Sequence, residues 1–528
     1  MNTKSLTYNR VTERFHEMVE AYPDYPAAVW KSTSYTYSQI NAYSNTVAKR
    51  LFELGAVSGS AVGVYSGRNL YFLIAIVGIL KAGCYYVPLS DEESKVKILH
   101  CLADSDIQYV CMCSADKKDI FQDEGALLFM QECFVEDDEN ICCDNQNELI
   151  YRMYTSGTTG FPKGCSITHK NVLNFTLNQL FTNFSPELTI LQMGSPAFDA
   201  CTYEIWCPVL WGGKVVFLDK EEILDPERLK SAIDEFGITD MFITTSLFNQ
   251  MSEMEPEIFR NLHCLIVGGS IASVKHLKKV YITCPSLRLF NAYGPTENTV
   301  YTTIHEINAK DFERVRMPIG KALENVKLLV MDEHHHPVEK GDPGELCIGG
   351  FSLGQGYHRR EELNRERFFF YEGEKYYKSG DLVAEFEDGI YDFIDRKDNQ
   401  IKLNGFRVEI SEIEIGLNGI TGVQEAVVFP QKRNETFLLT AYYTSASYLS
   451  THYLRTEASN VLADYMVPDK WVKVQKIPLN SNGKVDFQKL NEMEKEMNER
   501  AGEGSTPEDE AEALFNGILE ELADGEKK

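Results

Sequence analysis

Tyr154-Thr155-Ser156-Gly157-Thr158-Thr159-Gly160-Phe161-Pro162-Lys163-Gly164 is the most informative run in this chain. It follows the apolar Leu149-Ile150 and leads into Asn171 to Leu180, whose pattern predicts a helix. Glycines, hydroxyls and a lysine this close together suit a phosphate cradle. Glycine lets backbone N–H groups approach an anion, while hydroxyls and an ammonium supply further donors. The run is not a Walker loop, because Pro162 rather than glycine precedes Lys163. A Gly/Ser/Thr-rich surface loop has the same composition, so the choice depends on what surrounds it.

Around this run short β-rich segments alternate with helical patterns. Ala61 to Tyr65 precedes Leu70 to Lys81, Lys214 to Leu218 precedes Pro226 to Phe236, and Cys264 to Val267 precedes Val274 to Val280. Such alternation predicts layered α/β subdomains with a largely parallel sheet. From Gly344 the pattern changes to closely spaced strand candidates at Glu345 to Ile348, Lys375 to Lys378 and Ala384 to Glu387. A smaller β-rich subdomain is expected there. Charge clustering at Arg396-Lys397-Asp398-Asn399 marks a boundary. Beyond it the pattern runs strand (Gln400 to Leu403), helix (Ser411 to Leu417) and two strands (Val423 to Phe429, Phe437 to Thr444), predicting a small α+β domain. The expected division is 1–397, 398–495 and an acidic tail, 496–528. In that tail Thr506-Pro507-Glu508-Asp509 reads as a helix start, and Leu514, Phe515, Ile518, Leu519 and Leu522 form an apolar face.

Composition excludes several classes. At 528 residues, 43% hydrophobic and 25% charged, the chain is neither disordered nor fibrous. A net charge of −27 repels phosphate at long range, so neither nucleic acid nor a membrane surface is an expected partner. The apolar run Tyr71 to Leu80 is shorter than the ~20 residues a bilayer requires. Met1 to Thr7 leads into polar sequence without the apolar core of a signal peptide, and a cytoplasmic protein is expected. The 13 cysteines include no C-x-x-C pair and read as reduced, buried thiols. His334-His335-His336 reads as a solvated turn rather than a metal site, because Pro337, Gly341 and Pro343 follow it.

The loop at Tyr154 to Gly164 resembles the phosphate loop of adenylate-forming enzymes: acyl-CoA ligases, luciferases and peptide-synthetase adenylation domains. The resemblance continues in order through Leu80-Lys81-Ala82-Gly83, Phe198-Asp199-Ala200, Asn291-Ala292-Tyr293-Gly294-Pro295-Thr296-Glu297, Gly344-Glu345-Leu346, Tyr377-Lys378-Ser379-Gly380-Asp381, Asp395 to Glu409, Tyr465-Met466-Val467-Pro468 and Asn482-Gly483-Lys484. The strings are most similar to the amino-acid-activating branch, the adenylation domains of nonribosomal peptide synthetases. This implies an α/β enzyme whose large N-terminal domain is hinged to a small C-terminal one.

The implied reaction is attack of a carboxylate on the α-phosphate of ATP with Mg2+, giving an acyl adenylate and pyrophosphate. By resemblance Thr155, Ser156, Gly157, Thr158, Thr159, Gly160 and Lys163 cradle phosphate, Tyr293 lies under adenine, and Asn291 reaches its edge. Asp381 would accept the ribose hydroxyls with Arg396 beside it, Thr296 would contact the α-phosphate, and Glu297 would hold the metal. Lys484 would bridge carboxylate and α-phosphate, Asp398 would be the hinge, and Lys402 would serve the thioester step. The thiol acceptor is expected to be phosphopantetheine on a separate carrier protein, with this chain a monomer.

Asp199 decides the substrate class. In amino-acid-activating relatives an aspartate here pairs with the α-ammonium, and a carboxylate in an apolar string needs a cation. Carried over by position, the pocket is Asp199, Ala200, Tyr203, Phe242, Ile266, Gly268, Ala292, Val300 and Tyr301, with Lys484. Thr244-Thr245-Ser246 replaces the family's usual proline-containing run beside Phe242. With no further charge in the set, an apolar side chain of Val, Ile or Leu size is expected. Two alternative functions fit less well: a free-standing acyl- or aryl-CoA ligase, which would leave Asp199 unpaired, and an inactive nucleotide-binding module, which would not need Lys484, Glu297 and Asp381 together.

Overall fold

A computed structural model describes residues 8–114, 118–121, 125–137, 139, 141, 147–155, 162–177, 181, 184–314, 316–386, 389–397, 400–403, 406–433, 436–478 and 485–501. It forms two compact units, one of Met1–Glu412, Asn434–Thr436 and Ser459–Met466, the other of Ile413–Arg433, Phe437–Ala458 and Val467–Lys528.

The first unit is built on two large sheets. One has the spatial order Lys321–Ala322, Thr303–Glu306, Arg288–Tyr293, Cys264–Gly268, Asp240–Thr244, Thr189–Gln192, Lys214–Phe217, Pro26–Trp30, Thr33–Thr36. Its inner pairings are parallel and its edges antiparallel. The other runs Gly356–Tyr357, Lys163–Thr168, Leu149–Thr155, Tyr85–Ser90, Ala61–Ser66, Tyr109–Met112, Ala126–Phe129. The expected strand–helix pairs all form, with helices at Leu70–Lys81, Pro226–Phe236 and Val274–Thr283.

Helix Leu70–Lys81 shows why the sheets join. Apolar on every side, it has to be buried all round, and only Tyr71 escapes full burial. One apolar cluster therefore contains this helix, Tyr37–Glu53, Ala200–Val209 and residues from both sheets. Lys81 closes the helix inside this core, where its ammonium donates to Asn41 O, Asn41 Oδ1 and Asn45 Oδ1 at 2.6 to 3.0 Å. No helix among the described residues is long and apolar enough to cross a membrane.

The β-rich subdomain forms at Val326–Met331, Gly344–Gly350, Glu374–Glu385, Phe368–Tyr371 and Tyr391–Arg396. Here the strand expectation needs correction. Lys375 to Lys378 and Ala384 belong to one strand, Glu374–Glu385, rather than two. Ser379-Gly380-Asp381 has turn composition, but Gly380 adopts φ 76° within the strand and the register against Gly344–Gly350 shifts there. Turn residues have made a bulge, which re-aims the next side chain without ending the strand. That side chain is Asp381. The sequence pattern also missed Phe406–Glu409, which pairs antiparallel with Gln400–Leu403 and sets Lys402 opposite Arg407.

The second unit holds Val423–Arg433, Thr436–Ser445 and Lys470–Lys473 as one sheet, with helix Phe487–Ala501. Val427, Tyr442, Val472, Val474, Ile477 and Leu490 make its core. Eleven described cysteines are buried, as expected, and none is joined in a disulfide among the described residues. Asp332 Oδ1 accepts the N–H groups of His334 and His336 in an exposed turn. Among the described residues no three His, Cys, Asp or Glu gather as a metal site. The tail helix expected at 506–522 lies outside the described residues.

Candidate active site

The phosphate run closes a hairpin. Leu149–Thr155 and Lys163–Thr168 pair antiparallel with Thr155 opposite Lys163, so both flanks of the loop leave the sheet together. Ser156 to Gly160 lie outside the described residues. At the rim Thr155 Oγ1 is buried without a hydrogen-bond partner, an arrangement that suits an anion in the cradle. Lys163 is 3% exposed, with its ammonium 4.0 Å from Glu297 Oε1 and 4.4 Å from the Tyr357 ring centre.

The residues expected to hold the nucleoside come from three strands. Asp381 and Arg396 are register partners across an antiparallel pair, and Arg396 donates to Asp381 Oδ1 at 2.7 Å. The Tyr293 phenol donates to Asp381 Oδ2, which locks the ring's orientation. Burial and the adjacent Asp381 carboxylate hold this phenol far above its ordinary pKa, so it remains a donor. Asn291 donates its amide to Pro318 O at 2.7 Å, which fixes the side chain beside Tyr293.

Glu297 follows Thr296 in a short 3-10 turn and is 0% exposed. A hard carboxylate oxygen held near a lysine and a phosphate loop suits Mg2+, which is commonly bound by one or two carboxylates plus substrate phosphates. The residues present therefore fit the ion. Just beyond, Thr299 and Val300 adopt φ of 53° and 74°, unusual for β-branched residues. Thr299 Oγ1 donates to Ser352 O at 2.7 Å, one bond that holds this strained turn.

Asp199 stands where a helix cap would, before Ala200–Val209, yet its carboxylate caps no backbone N–H. Instead Asp199 Oδ2 accepts the Thr296 hydroxyl at 2.5 Å, so the residues assigned to ammonium and α-phosphate are neighbours. Tyr203, Phe242 and Tyr301 gather behind them, with ring centres 5.8 and 5.9 Å apart at the Tyr301 contacts. Phe175 and Phe181, which sequence reasoning missed, pack on Tyr301 at 5.7 and 6.0 Å. Ala200, Ile266, Ala292 and Val300 are buried in the same cluster. Gly268 belongs there because a Cβ would lie 2.9 Å from Ala292 O and 3.2 Å from Phe242 Cε2. The Tyr203 and Tyr301 hydroxyls are buried without hydrogen-bond partners. Phe406 lies 5.7 Å from Phe198, next to Asp199. Lys484 and Asp398 lie outside the described residues.

Glu204, also missed, steadies this wall. It is wholly buried on the Asp199 helix and accepts the N–H groups of Met193 and Gly194 at 3.0 to 3.1 Å, while Arg68 holds Met193 O at 2.7 Å. Burial pushes its carboxyl up from 4.5 to about 7, against the lowering by those two N–H groups. A raised acid binds its proton more tightly in the folded state. Its stability contribution is therefore present below the unfolded value and is lost as pH rises through the window from 4.5 to about 7. The shift corresponds to about 3 kcal/mol. Glu204→Gln is expected to flatten this part of the pH dependence, read by urea unfolding at pH 5 and pH 8. The same loss in variant and wild type would disprove it.

Comparisons with known proteins give the family. Residues 15–358 match the family model described as AMP-binding enzyme. Gramicidin S synthase 2 of Brevibacillus brevis is 36% identical over 479 residues, 89% of this chain and 11% of that protein. Bacitracin synthase 1 of Bacillus licheniformis is 35% identical over 528 residues, 98% of this chain and 10% of that protein. The chain thus spans about a tenth of the length of these relatives. Among solved structures, a nonribosomal peptide synthetase protein containing adenylation and PCP domains, bound to a vinylsulfonamide inhibitor, superposes with a TM-score of 0.83. It is 29% identical, and the match covers 91% of this chain and 84% of that one. The family match takes in the phosphate hairpin, Asp199 and Glu297 and ends just past the strand at Gly356–Tyr357, and this chain belongs to the AMP-binding enzymes.

Proposed function

We propose that this chain activates an apolar α-amino acid of Val, Ile or Leu size as its adenylate and passes it to a carrier-protein phosphopantetheine thiol in nonribosomal peptide synthesis. The observation that carries this is Asp199, 7% exposed and accepting the Thr296 hydroxyl, at the start of the helix that also bears Tyr203. A buried carboxylate there is complementary to an α-ammonium, and the pocket behind it offers no second charge to a side chain.

In the proposed mechanism Asp199 holds the ammonium, which aims the substrate carboxylate at the α-phosphate. Tyr293, Asp381 and Arg396 fix the nucleoside, while Thr155 to Lys163 hold the phosphates. A carboxylate oxygen attacks the α-phosphorus, the bond to the β-phosphate oxygen breaks, and pyrophosphate leaves. Thr296 and Lys484 stabilise the charge that builds at the α-phosphate, with geometry set in advance. Mg2+, held through Glu297, would neutralise phosphate charge. In the second step the thiol attacks the acyl carbonyl and AMP departs.

Amino-acid-dependent ATP–pyrophosphate exchange across the twenty amino acids, with fatty and aryl acids as controls, tests the proposal. An aliphatic amino acid should give the highest exchange and Asp, Lys or Arg the lowest. A preference for a charged side chain would refute the pocket, and one for an acid without an amino group would refute the role of Asp199. A preference for a hydroxylated side chain would refute the apolar assignment and move specificity to the Tyr203 and Tyr301 hydroxyls.

The two steps need different surroundings, because Lys484 must enter for the first and leave for the second. We place the hinge at Asp398 by resemblance. Proline holds φ near −65°. Asp398→Pro is therefore expected to retain exchange but lose aminoacyl transfer to an added carrier. Wild-type loading in that variant would move the hinge elsewhere.

A further inference from the structure

Tyr357 belongs to none of the motifs through which the sequence resembles its family, yet it touches three of them. It lies on the short edge strand Gly356–Tyr357, which pairs with the phosphate hairpin so that Tyr357 faces Cys165. Backbone bonds pin this segment at both ends: Gly354 N–H donates to Glu297 O, and His358 N–H donates to Gly164 O, each at 2.9 Å. The phenol donates to Glu297 Oε1 and lies 3.2 Å from the Tyr377 hydroxyl. Its ring face meets the Lys163 ammonium at 4.4 Å.

We propose that Tyr357 is a positioning residue that holds Glu297 and Lys163 apart and separately aimed at the metal and phosphate end of the nucleotide. The proposal rests on the adenylating reading above. Glu297 and Lys163 are both buried and oppositely charged, and at 4.0 Å they stop short of a direct hydrogen-bonded ion pair. In a low-dielectric site such a pair gains strongly by closing. Closure would spend the carboxylate on the lysine instead of the metal, and the lysine on the carboxylate instead of a phosphate. The phenol prevents this from both sides: its hydroxyl occupies Oε1, and its ring gives the ammonium a separate partner. Two opposite charges can thus face the same ligand without a direct hydrogen bond between them.

Tyr357→Phe keeps the ring and removes the hydroxyl, whereas Tyr357→Leu removes both. ATP binding to the full chain, measured by calorimetry with Mg2+ and then with EDTA, separates their effects. In Tyr357→Phe, affinity in EDTA should stay within about twofold. The tightening produced by Mg2+ should shrink about tenfold, the scale of one hydrogen bond to a charged group. Tyr357→Leu should in addition weaken binding in EDTA, because Lys163 has lost its ring. In exchange assays at saturating MgATP, the amino-acid KM should be unchanged in both variants. A wild-type Mg2+ increment in Tyr357→Phe overturns the proposal, and so does a parallel rise in the amino-acid KM, which would mean general loosening of the fold. If Tyr357→Leu does not fold, Tyr357→Phe decides alone. Wild-type protein that binds no ATP would instead overturn the adenylating reading, and this proposal with it.

Discussion

Asp199→Ala is expected to abolish pyrophosphate exchange with α-amino acids. The carboxylate is 7% exposed and accepts the Thr296 hydroxyl, a setting in which water is a poor substitute for its countercharge. Removing one partner of a buried ion pair leaves the other charge uncompensated at a cost of ~3–5 kcal/mol, a hundredfold or more in apparent affinity. Asp199→Asn separates charge from hydrogen bonding. Its amide oxygen can still accept from Thr296 but carries no countercharge, so it should be nearly as inactive. Wild-type exchange kinetics in either variant would leave Asp199 with a purely structural role.

Lys484→Ala should lower the rate of adenylate formation by about a hundredfold or more, in line with the loss of one oxyanion-stabilising donor. ATP affinity should stay within roughly an order of magnitude. The lysine's contribution grows as charge accumulates between the carboxylate and the α-phosphate, so its loss belongs to the transition state. Single-turnover adenylation alongside equilibrium ATP binding distinguishes the cases. If binding collapses in parallel with the rate, Lys484 is a ground-state anchor and the assigned role is wrong.

Both experiments concern residues whose importance is legible without a structure, because each lies within a contiguous motif. The hairpin flanks are of the same kind: Thr155 and Lys163 are close in sequence, and antiparallel pairing makes them close in space. Phe242 shows where sequence alone is less secure. The run after it departs from the family's usual form, yet register with Ile266 and the contact with Tyr301 keep it beside two other candidate pocket residues.

What sequence reasoning missed shares one cause. Glu204, Tyr357, Phe175 and Phe181 act through partners brought in by tertiary packing. Tyr357 reaches Glu297 across 60 residues, and Glu204 ties down a loop that sits before its own helix. None stands in a run whose composition announces chemistry. Ser379-Gly380-Asp381 misled in the opposite direction, because its turn composition suits a bulge equally well, and only pairing with Gly344–Gly350 selects the bulge.

By itself, then, the sequence determined the layered α/β class, the AMP-binding family and the candidate residues from which a site could be argued. These depend on local periodicity and on short motifs in which neighbours in the chain act together. The tertiary structure alone decided how those residues are held: Asp381 between Tyr293 and Arg396, Asp199 against Thr296, and Glu297 bonded by Tyr357. All of these contacts but Asp381–Arg396 join segments far apart in the chain, and their strength comes from burial, which exists only once the sheets and helices have packed.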